Sequence, residues 1–309
     1  MASLTVEKSA GARDGTRLTM EKGAGVRERD LPWVDIAVRP GYKQRYCGFY
    51  DASKHLGLRI GSLHAEPEFL SPRHRHTFQQ VRFLVEGKMR YNKDVYDTGD
   101  CLYLPEGAYY GPISPVQKRE GGTEKMHFVD MQFEGPSGIP YPHPDDVVRS
   151  QRQLAETGSF EEGIYTFASG RKRDAYEAIL ENLIGKPVEY PPSRLDNYIV
   201  MRTPSYPWVP TDKAGVSQRH LGYFFECGPN IKMFSLKAGA SLPAGRPQGH
   251  RALFLLSGHA RFDGDDFDPL SYFVFPDDTA HAELKATQDS ELLALGWTTP
   301  LRSVPFELF

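Results

Sequence analysis

Residues 81–105 read VRFLVEGKMRYNKDVYDTGDCLYLP, and residues 252–276, which lie 171 positions later, read ALFLLSGHARFDGDDFDPLSYFVFP. The two stretches share apolar residues, glycines, turn aspartates and a closing proline at matching positions. The match extends without a gap over residues 57–110 and 228–281. Residues of these types determine backbone geometry and core packing, so the pattern predicts that the chain contains one structural unit twice.

Each copy has the pattern of short β-strands separated by turns. An apolar run is followed by a glycine, then by alternating apolar and polar residues, then by an Asp-rich turn and a second apolar run. Such short strands at regular spacing indicate a sandwich or a barrel. The matched apolar runs are Val81–Val85 and Cys101–Leu104 in the first copy, and Ala252–Leu256 and Tyr272–Phe275 in the second. We therefore predict a mainly β protein with two barrels.

The region between the two copies has a different composition. Asp145–Ala155 and Arg173–Ile184 are predicted to be helices, the second because its apolar residues recur with a period near 3.6 before Gly185. Residues 186–215 are rich in proline and are predicted to be irregular. The predicted segments are a flexible N-terminal segment at 1–30, barrel 1 at 31–140, a helical and Pro-rich connector at 141–215, and barrel 2 at 216–309.

Composition narrows the class of function. The formal net charge is −3, which gives no general electrostatic attraction to nucleic acid or to anionic membranes. No apolar run approaches the roughly 20 residues that span a bilayer, and the N-terminal residues lack the apolar core of a secretory signal. The three cysteines form no CxxC pair, which indicates buried thiols and no disulfide framework. We expect a cytoplasmic protein whose partner is a small molecule.

The first copy also carries the residues that suggest chemistry. Residues 74–80 read HRHTFQQ, followed by Gly87. Side chains two positions apart on a strand point to the same face, so His74, His76 and Gln80 can all point into a barrel. Two imidazoles that converge in a cavity are a natural ligand pair for a first-row transition metal.

These residues and their spacing resemble the cupin superfamily. Its usual motifs are G-x5-H-x-H-x3,4-E-x6-G and G-x5-P-x-G-x2-H-x3-N. This chain has His74-x-His76-x3-Gln80-x6-Gly87 and then Gly99-x5-Pro105-x-Gly107-x2-Tyr110. The resemblance covers both copies and implies a bicupin, with two double-stranded β-helix (jelly-roll) barrels. It also implies a divalent transition metal such as Fe, Mn, Ni or Zn on His74, His76 and Gln80.

The chain departs from the cupin pattern at two positions, since Gln80 replaces the glutamate and Tyr110 replaces the last histidine. A neutral amide oxygen is a weaker ligand than a carboxylate, and Tyr110 is better suited to donate a hydrogen bond or to act as a general acid or base. Arg82 has the parity to point inward, which favours an anionic substrate. His127, on the strand-like stretch Lys125–Phe133, could supply a third imidazole.

The second copy has lost most of this pattern. Gly245, Pro247 and Arg251 stand where the first copy has His74, His76 and Gln80, and His281 stands opposite Tyr110. One imidazole cannot hold a metal, so we interpret barrel 2 as a degenerate copy retained for packing. A separate anion pocket at Arg251, His250 and His281 is the alternative.

Three functions remain open. The first is a metalloenzyme that acts on a small anionic or chelating molecule, with dioxygenase chemistry as the leading reaction. The second is a lyase or isomerase that uses Tyr110 and histidines for proton transfer, with the metal absent or purely Lewis acidic. Across these hypotheses the candidate catalytic residues are Tyr110, Arg82 and His127. The third is a non-catalytic binding or structural bicupin. A homodimer is compatible with all three.

Overall fold

The computed structural model describes residues 6–7, 16–18, 23–35, 41–51, 56–116, 126–139, 141–142, 144–190, 195–225 and 227–298. The chain divides into two compact units. One contains Val6–Leu18 and Pro32–Met201 and holds barrel 1; the other contains the remainder and holds barrel 2.

Strands dominate both units. In the first part of the chain they are β1 (Val6–Glu7), β2 (Thr16–Leu18), β3 (Ala24–Val26), β4 (Val34–Asp35), β5 (Tyr42–Asp51), β6 (Leu56–Ala65), β7 (Phe78–Glu86), β8 (Lys88–Tyr91), β9 (Asp94–Asp97), β10 (Asp100–Leu104), β11 (Ile113–Pro115) and β12 (Met126–Glu134). The middle part contains α1 (Pro144–Ala155), β13 (Gly158–Glu161), β14 (Ile164–Phe167), β15 (Lys172–Asp174) and α2 (Ala175–Ile184). The last part contains β16 (Ile199–Arg202), β17 (Val209–Pro210), β18 (Val216–Tyr223), β19 (Asn230–Leu236), β20 (Ser241–Leu242), β21 (His250–Ser257), β22 (Ala260–Phe262), β23 (Asp265–Phe267), β24 (Tyr272–Phe275), β25 (Leu284–Ala286) and β26 (Ser290–Trp297).

Barrel 1 is formed by a large sheet and a small one. The large sheet has the order β1-β2-β5-β6-β12-β7-β10-β16, with β4 beside β5, and the small sheet has the order β11-β8-β9. Side chains alternate across β7, so that Leu84 enters the apolar core and Arg82 lines the interior while Val81 and Phe83 occupy the other face. The barrel interior is therefore apolar at one end and polar at the other.

Barrel 2 repeats this arrangement. Its sheets have the orders β17-β18-β19-β26-β21-β24-β3 and β20-β25-β22-β23. The pair Phe83–Cys101 in barrel 1 and the pair Phe254–Tyr272 in barrel 2 are related by the shift of the sequence repeat. Both predictions, a mainly β chain and two cupin-type barrels, are confirmed.

The interior of barrel 2 is filled by apolar side chains. The core cluster consists of Val216, Phe234, Leu236, Leu242, Leu253, Leu255, Ala260, Phe262, Phe267, Phe273, Phe275, Leu284, Ala286, Leu292 and Ala294. Rings from three strands meet at its centre, where the centroids of Phe267 and Phe273 lie 4.9 Å apart. Burial of such rings is a major stabilising contribution in a small barrel.

Both predicted helices are present and end at the predicted residues, while α1 starts one residue before its predicted start and α2 two residues after. Helix α2 begins at the N-cap Asp174, whose carboxylate accepts hydrogen bonds from the backbone N–H groups of Tyr176 and Glu177. It ends at Gly185, which has a φ of 70° in the left-handed region. The antiparallel sheet β13-β14-β15 between the helices was not predicted.

Part of the predicted N-terminal segment is structured. Strand β3 pairs antiparallel with β24 on barrel 2. Gly25 allows the close approach, because a Cβ at this position would lie 2.5 Å from the ring of Phe267. Most of residues 1–22 lie outside the described residues, and the prediction of flexibility made for them stays a prediction.

In the described part of the chain, no helix combines the length and the hydropathy needed to cross a membrane.

Candidate active site in barrel 1

The two histidines of the predicted motif lie together at one cavity. His74 pairs with Tyr110 in an isolated antiparallel bridge, with backbone N···O distances of 3.0 and 2.9 Å. His76 follows on the same side, and the centroids of the two imidazole rings are 4.8 Å apart. Both rings line a cavity of about 300 Å³. This arrangement agrees with the prediction that His74 and His76 point into barrel 1.

A backbone carbonyl fixes the orientation of the first imidazole. His74 Nδ1 donates to the carbonyl oxygen of Pro72 over 2.6 Å. Since a carbonyl oxygen can only accept, Nδ1 carries the proton and Nε2 holds the lone pair of the neutral ring. A histidine prepared in this way can act as a base or as a metal ligand.

Gln80 lies beside the cavity within a buried polar network. Its Oε1 accepts a hydrogen bond from Arg82 Nη2 at 2.8 Å, and its Nε2 donates to the Tyr110 hydroxyl at 2.9 Å. The guanidinium of Arg82 also forms an ion pair with Asp130, with Nε and Oδ1 3.4 Å apart, and donates to the Tyr91 hydroxyl. The network thus joins three strands of barrel 1, β7, β8 and β12, and the isolated bridge at Tyr110.

The network changes the proton affinities of its members. Burial alone would lower the pKa of Arg82, but Asp130 and the tyrosine hydroxyls more than offset this effect, so the pKa is raised well above its usual value. Burial raises the pKa of Tyr91 to about 12, although the Arg82 guanidinium opposes the shift. Arg82 therefore stays a cation and Tyr91 stays a neutral phenol at any physiological pH.

The structure does not bring His127 to this site. Strand β12 alternates, so Phe128 and Asp130 face the interior and His127 faces the opposite side of the sheet. There its ring stacks on that of His64 with centroids 4.2 Å apart. Burial and the neighbouring His64 lower the pKa of His127 to about 4. The prediction that His127 supplies a third imidazole at the cavity is therefore wrong, because its side chain lies on the other face of the sheet.

The donor set does not fit a four-ligand metal centre of the cupin type. His74 and His76 suit the first two positions, but the oxygen of Gln80 already accepts from a guanidinium and the Tyr110 hydroxyl already accepts from Gln80. A divalent cation bound to that oxygen would lie within a few bond lengths of the charge on Arg82, and like charges at such separations repel strongly in a buried site. Among the described residues, no group of three His, Cys, Asp or Glu side chains has the arrangement of a metal site.

The sequence prediction missed several cavity residues. From the barrel, Arg59 lines the cavity, donates to Gln44 Oε1 and lies with its guanidinium carbon 4.0 Å from the centroid of the Tyr46 ring. Arg59 on β6 has the same facing as Gly61 and Leu63, and this alternation was the available signal. The residues contributed by the helical region could not be found from motifs, because that region has none.

The helices and strands that lie between the two barrels in the sequence form one side of the barrel 1 cavity. We call residues 141–142 and 144–184 the insert. It lines the cavity with Tyr141, Pro142, Val147, Val148, Gln151, Phe160, Gly163, Asp174, Ala175, Tyr176 and Ile179. The Tyr176 ring meets the His76 ring edge-on, with centroids 4.9 Å apart, so the insert reaches the histidine pair directly.

The equivalent position in barrel 2 has no such pair. The bridge between Gly245 and His281 corresponds to the bridge between His74 and Tyr110. His281 Nδ1 donates to the carbonyl oxygen of Ala282, and its ring packs on Phe275. Arg251 donates to the backbone oxygens of His250 and Gln248. These contacts agree with the interpretation of barrel 2 as a degenerate copy.

Comparison with known protein families gives a match to one part of the chain. Residues 196–298 match the family model of the ChrR cupin-like domain. The matched region contains barrel 2, the copy without the histidine pair. Barrel 2 is therefore similar to the ChrR cupin-like domain, and this match together with the two barrels supports a cupin fold for the chain.

Solved structures support the same fold along the whole chain. A candidate dioxygenase from Nostoc punctiforme is 12% identical with a TM-score of 0.59, covering 94% of this chain and 87% of its own. A candidate glyoxylate-induced protein from Pseudomonas aeruginosa is 10% identical with a TM-score of 0.56, covering 96% of both chains. A variant of oxalate decarboxylase from Bacillus subtilis is 13% identical with a TM-score of 0.53, covering 89% and 77%. No curated protein matches the sequence.

Proposed function

We propose that this chain is a cupin enzyme that binds a small organic anion in the barrel 1 cavity and transfers a proton on it with His74 and His76. The observation that carries the proposal is the placement of this histidine pair on a cavity that two arginines also line. The proton-transfer alternative of the sequence analysis is therefore preferred to the metal-dependent one.

The charge of the cavity favours an anion. Arg59 and Arg82 line it together with Asp130, whose carboxylate is held by Arg82. The Arg59 guanidinium donates to the neutral amide oxygen of Gln44. A carboxylate of the substrate would form charge-assisted hydrogen bonds with Arg59, which are stronger than those between neutral groups.

The histidines provide the proton transfer. Imidazole is the side chain that most readily gains and loses a proton near neutral pH. In the neutral form of His74, Nε2 is the basic nitrogen, because the Nδ1 proton is donated to the Pro72 carbonyl oxygen. The substrate proton next to a carbonyl or carboxylate group is the one that such a base would remove. The Tyr110 ring packs against the His74 ring with centroids 4.4 Å apart, and its hydroxyl accepts a hydrogen bond from Gln80.

A metal-dependent oxidoreductase is the second candidate, and the histidine pair and the fold neighbours favour it. A divalent transition metal would be held by His74 and His76, and it would supply Lewis-acid or redox chemistry. The oxalate decarboxylase of Bacillus subtilis has Mn(II) centres, and the Nostoc protein is named as a candidate dioxygenase. The third candidate, a non-catalytic binding protein, would use the same cavity.

One experiment separates the three candidates. A panel of 2-oxo and 3-oxo acids is incubated with the protein in D₂O, and hydrogen exchange at carbon is followed by ¹H NMR with and without dioxygen and with and without a chelator. We expect exchange that persists in all four conditions and is lost in the His74→Ala/His76→Ala variant. Loss of turnover without dioxygen or metal would favour the oxidoreductase. Binding without any turnover would favour the non-catalytic protein.

A further inference from the structure

We propose that the anion bound in barrel 1 carries an apolar body, and that the insert selects this body. The inference rests on the proposed function and names its substrate class: a monoanion with one small apolar or aromatic group. It is drawn from the unequal chemistry of the two sides of the cavity.

The barrel side of the cavity has apolar residues such as Leu63 and Phe78, but it also carries most of the charged groups. It presents two guanidinium groups, from Arg59 and Arg82, the carboxylate of Asp130 and the amides of Gln44 and Gln132. Gln132 is fixed by its hydrogen bond to Asp130 Oδ2 at 2.8 Å. We call this side the floor, and it is suited to the charged end of a ligand.

The insert side is mainly apolar. Val147 and Val148 come from α1, Phe160 from β13 and Ile179 from α2. The first three are half-buried, so each retains exposed apolar surface at the cavity, where an apolar ligand can cover it. We call this side the roof.

A negative charge on the roof is expected to direct an anionic group away from it, toward the floor. The roof carries the carboxylate of Asp174, which caps α2 by accepting the N–H groups of Tyr176 and Glu177. This negative charge disfavours an anionic group next to it, whereas the floor attracts one. A ligand is therefore expected to place its carboxylate at the floor and its apolar end at the roof.

The roof is held in register with the histidines. Arg75, which lies between the two histidines in sequence, forms an ion pair with Glu177 of α2 at 3.2 Å. The hydroxyls of Thr77 and Tyr176 lie 3.2 Å apart in a second link. Glu177 is buried, so its ion pair is less screened by solvent than a surface pair. These links keep the apolar surface at a fixed distance from the proposed base.

The size of the cavity limits the apolar body. Its volume of about 300 Å³ is at the lower end of the range of ligand pockets, roughly 300 to 1,000 Å³. A single ring with a short chain is a suitable size. Each buried methylene is expected to tighten binding by about fourfold, so a phenyl group should tighten it by more than tenfold.

Calorimetric titration of the full chain with four probes tests the proposal: 3-phenylpropionate, its neutral amide 3-phenylpropanamide, propionate and oxalate. We expect 3-phenylpropionate to bind more than about tenfold more tightly than propionate or oxalate. Phe160→Ala and Val148→Ser should reduce this advantage several-fold and leave the affinity for propionate unchanged. Arg59→Gln should weaken all three anions and leave the amide unaffected.

The failures of the two proposals are distinguishable. Equal affinities for propionate and 3-phenylpropionate, or an advantage that survives both roof substitutions, would overturn the inference and leave the proposed function in place. If no anion binds and Arg59→Gln changes nothing, both proposals fail. Near-UV circular dichroism identifies misfolded variants, and the two roof substitutions on different elements protect the test against the misfolding of one of them.

Discussion

The two barrels of this chain share a fold but differ in what occupies their interiors. In barrel 1, Arg82 on β7 lies opposite Asp130 on β12, and the two side chains form a buried ion pair. In barrel 2 the matching positions hold Leu253 and Ala294, which also lie opposite each other and belong to the apolar core. At this one pair of cross-strand positions, barrel 1 has charged side chains beside a cavity, whereas barrel 2 has apolar side chains in a filled core.

The positions around this pair follow the same division. Tyr91, whose hydroxyl binds Arg82, corresponds to Phe262 in barrel 2, and Tyr96 corresponds to Phe267. The Tyr91 hydroxyl accepts a hydrogen bond from the buried guanidinium of Arg82. Barrel 2 has Leu253 in place of Arg82, so the phenyl ring of Phe262 needs no hydroxyl. The comparison teaches that two barrels with the same strand pairing can enclose either a polar cavity or an apolar core, depending on a few inward-facing residues.

Removal of one partner of the ion pair should have the largest effect. Asp130→Ala leaves the buried guanidinium of Arg82 without its counter-charge, and such changes cost about 3–5 kcal/mol. Urea unfolding followed by fluorescence measures the loss in the free energy of unfolding. A loss below about 1 kcal/mol would contradict the view that the pair is coupled.

The matched control transfers the residues of barrel 2 into barrel 1. In Arg82→Leu/Asp130→Ala the charges disappear together, and replacement of a buried pair by apolar residues is often neutral or stabilising. We expect the double variant to be at least about 3 kcal/mol more stable than Asp130→Ala. The net charge of the cavity floor stays the same in the double variant, because one cation and one carboxylate are removed together.

The outer faces of the barrels should differ in their response to acid. The pKa of His127 is lowered to about 4 in the folded state. The folded state therefore binds a proton at His127 only at lower pH than the unfolded state, whose imidazole titrates near 6.5. The stability that His127 contributes is complete above pH 6.5 and is lost as the pH falls toward 4. The loss at low pH amounts to about 3 kcal/mol.

Barrel 2 supplies the comparison for this effect, because Ser235 and Glu291 lie opposite each other where barrel 1 has His64 and His127. Unfolding of the wild-type chain and of His127→Gln is measured between pH 7.5 and 4. The difference between the two should change by about 3 kcal/mol over this interval, the wild type losing more. Parallel curves would show that His127 is not the source of the acid sensitivity.

The smallest expected effect concerns the phenols. Tyr91→Phe gives barrel 1 the residue of barrel 2 but removes a hydrogen-bond acceptor from Arg82, at a cost of about 2 kcal/mol. Tyr96→Phe makes the same chemical change where the partner is the hydroxyl of Tyr198, and it should cost about 1 kcal/mol or less. Thermal unfolding compares them, and equal losses would show that the charge on Arg82 is unimportant.

Local sequence patterns predicted the fold well. The 171-residue shift located both barrels, because glycines and turn residues mark backbone geometry wherever they occur. Gly87 and Gly258 have φ values of 88° and 82°, and Asn92 and Asp263 have φ values of 52° and 49°. The sequence identified these positions without any knowledge of the packing.

The candidate site was harder to predict because it depends on contacts between distant residues. The inward direction of Arg82 followed from strand parity, but its hydrogen bond to Gln80 and its ion pair with Asp130 did not. His127 was misplaced because only an exact strand register tells which face a residue occupies, and a bulge shifts the register between His127 and Phe128. The roof of the cavity comes from helices whose sequence shows only that they are amphipathic.

The ion pair between Arg82 and Asp130 has a consequence for how such a molecule can evolve. A barrel that loses either charge alone is strongly destabilised, whereas a barrel that loses both together can keep its stability. Mutations arrive one at a time, so the step from a working site to a filled core is difficult in both directions. Once one of the two barrels in such a chain has crossed that barrier, it is expected to remain a scaffold, and selection for new chemistry then falls on the other barrel.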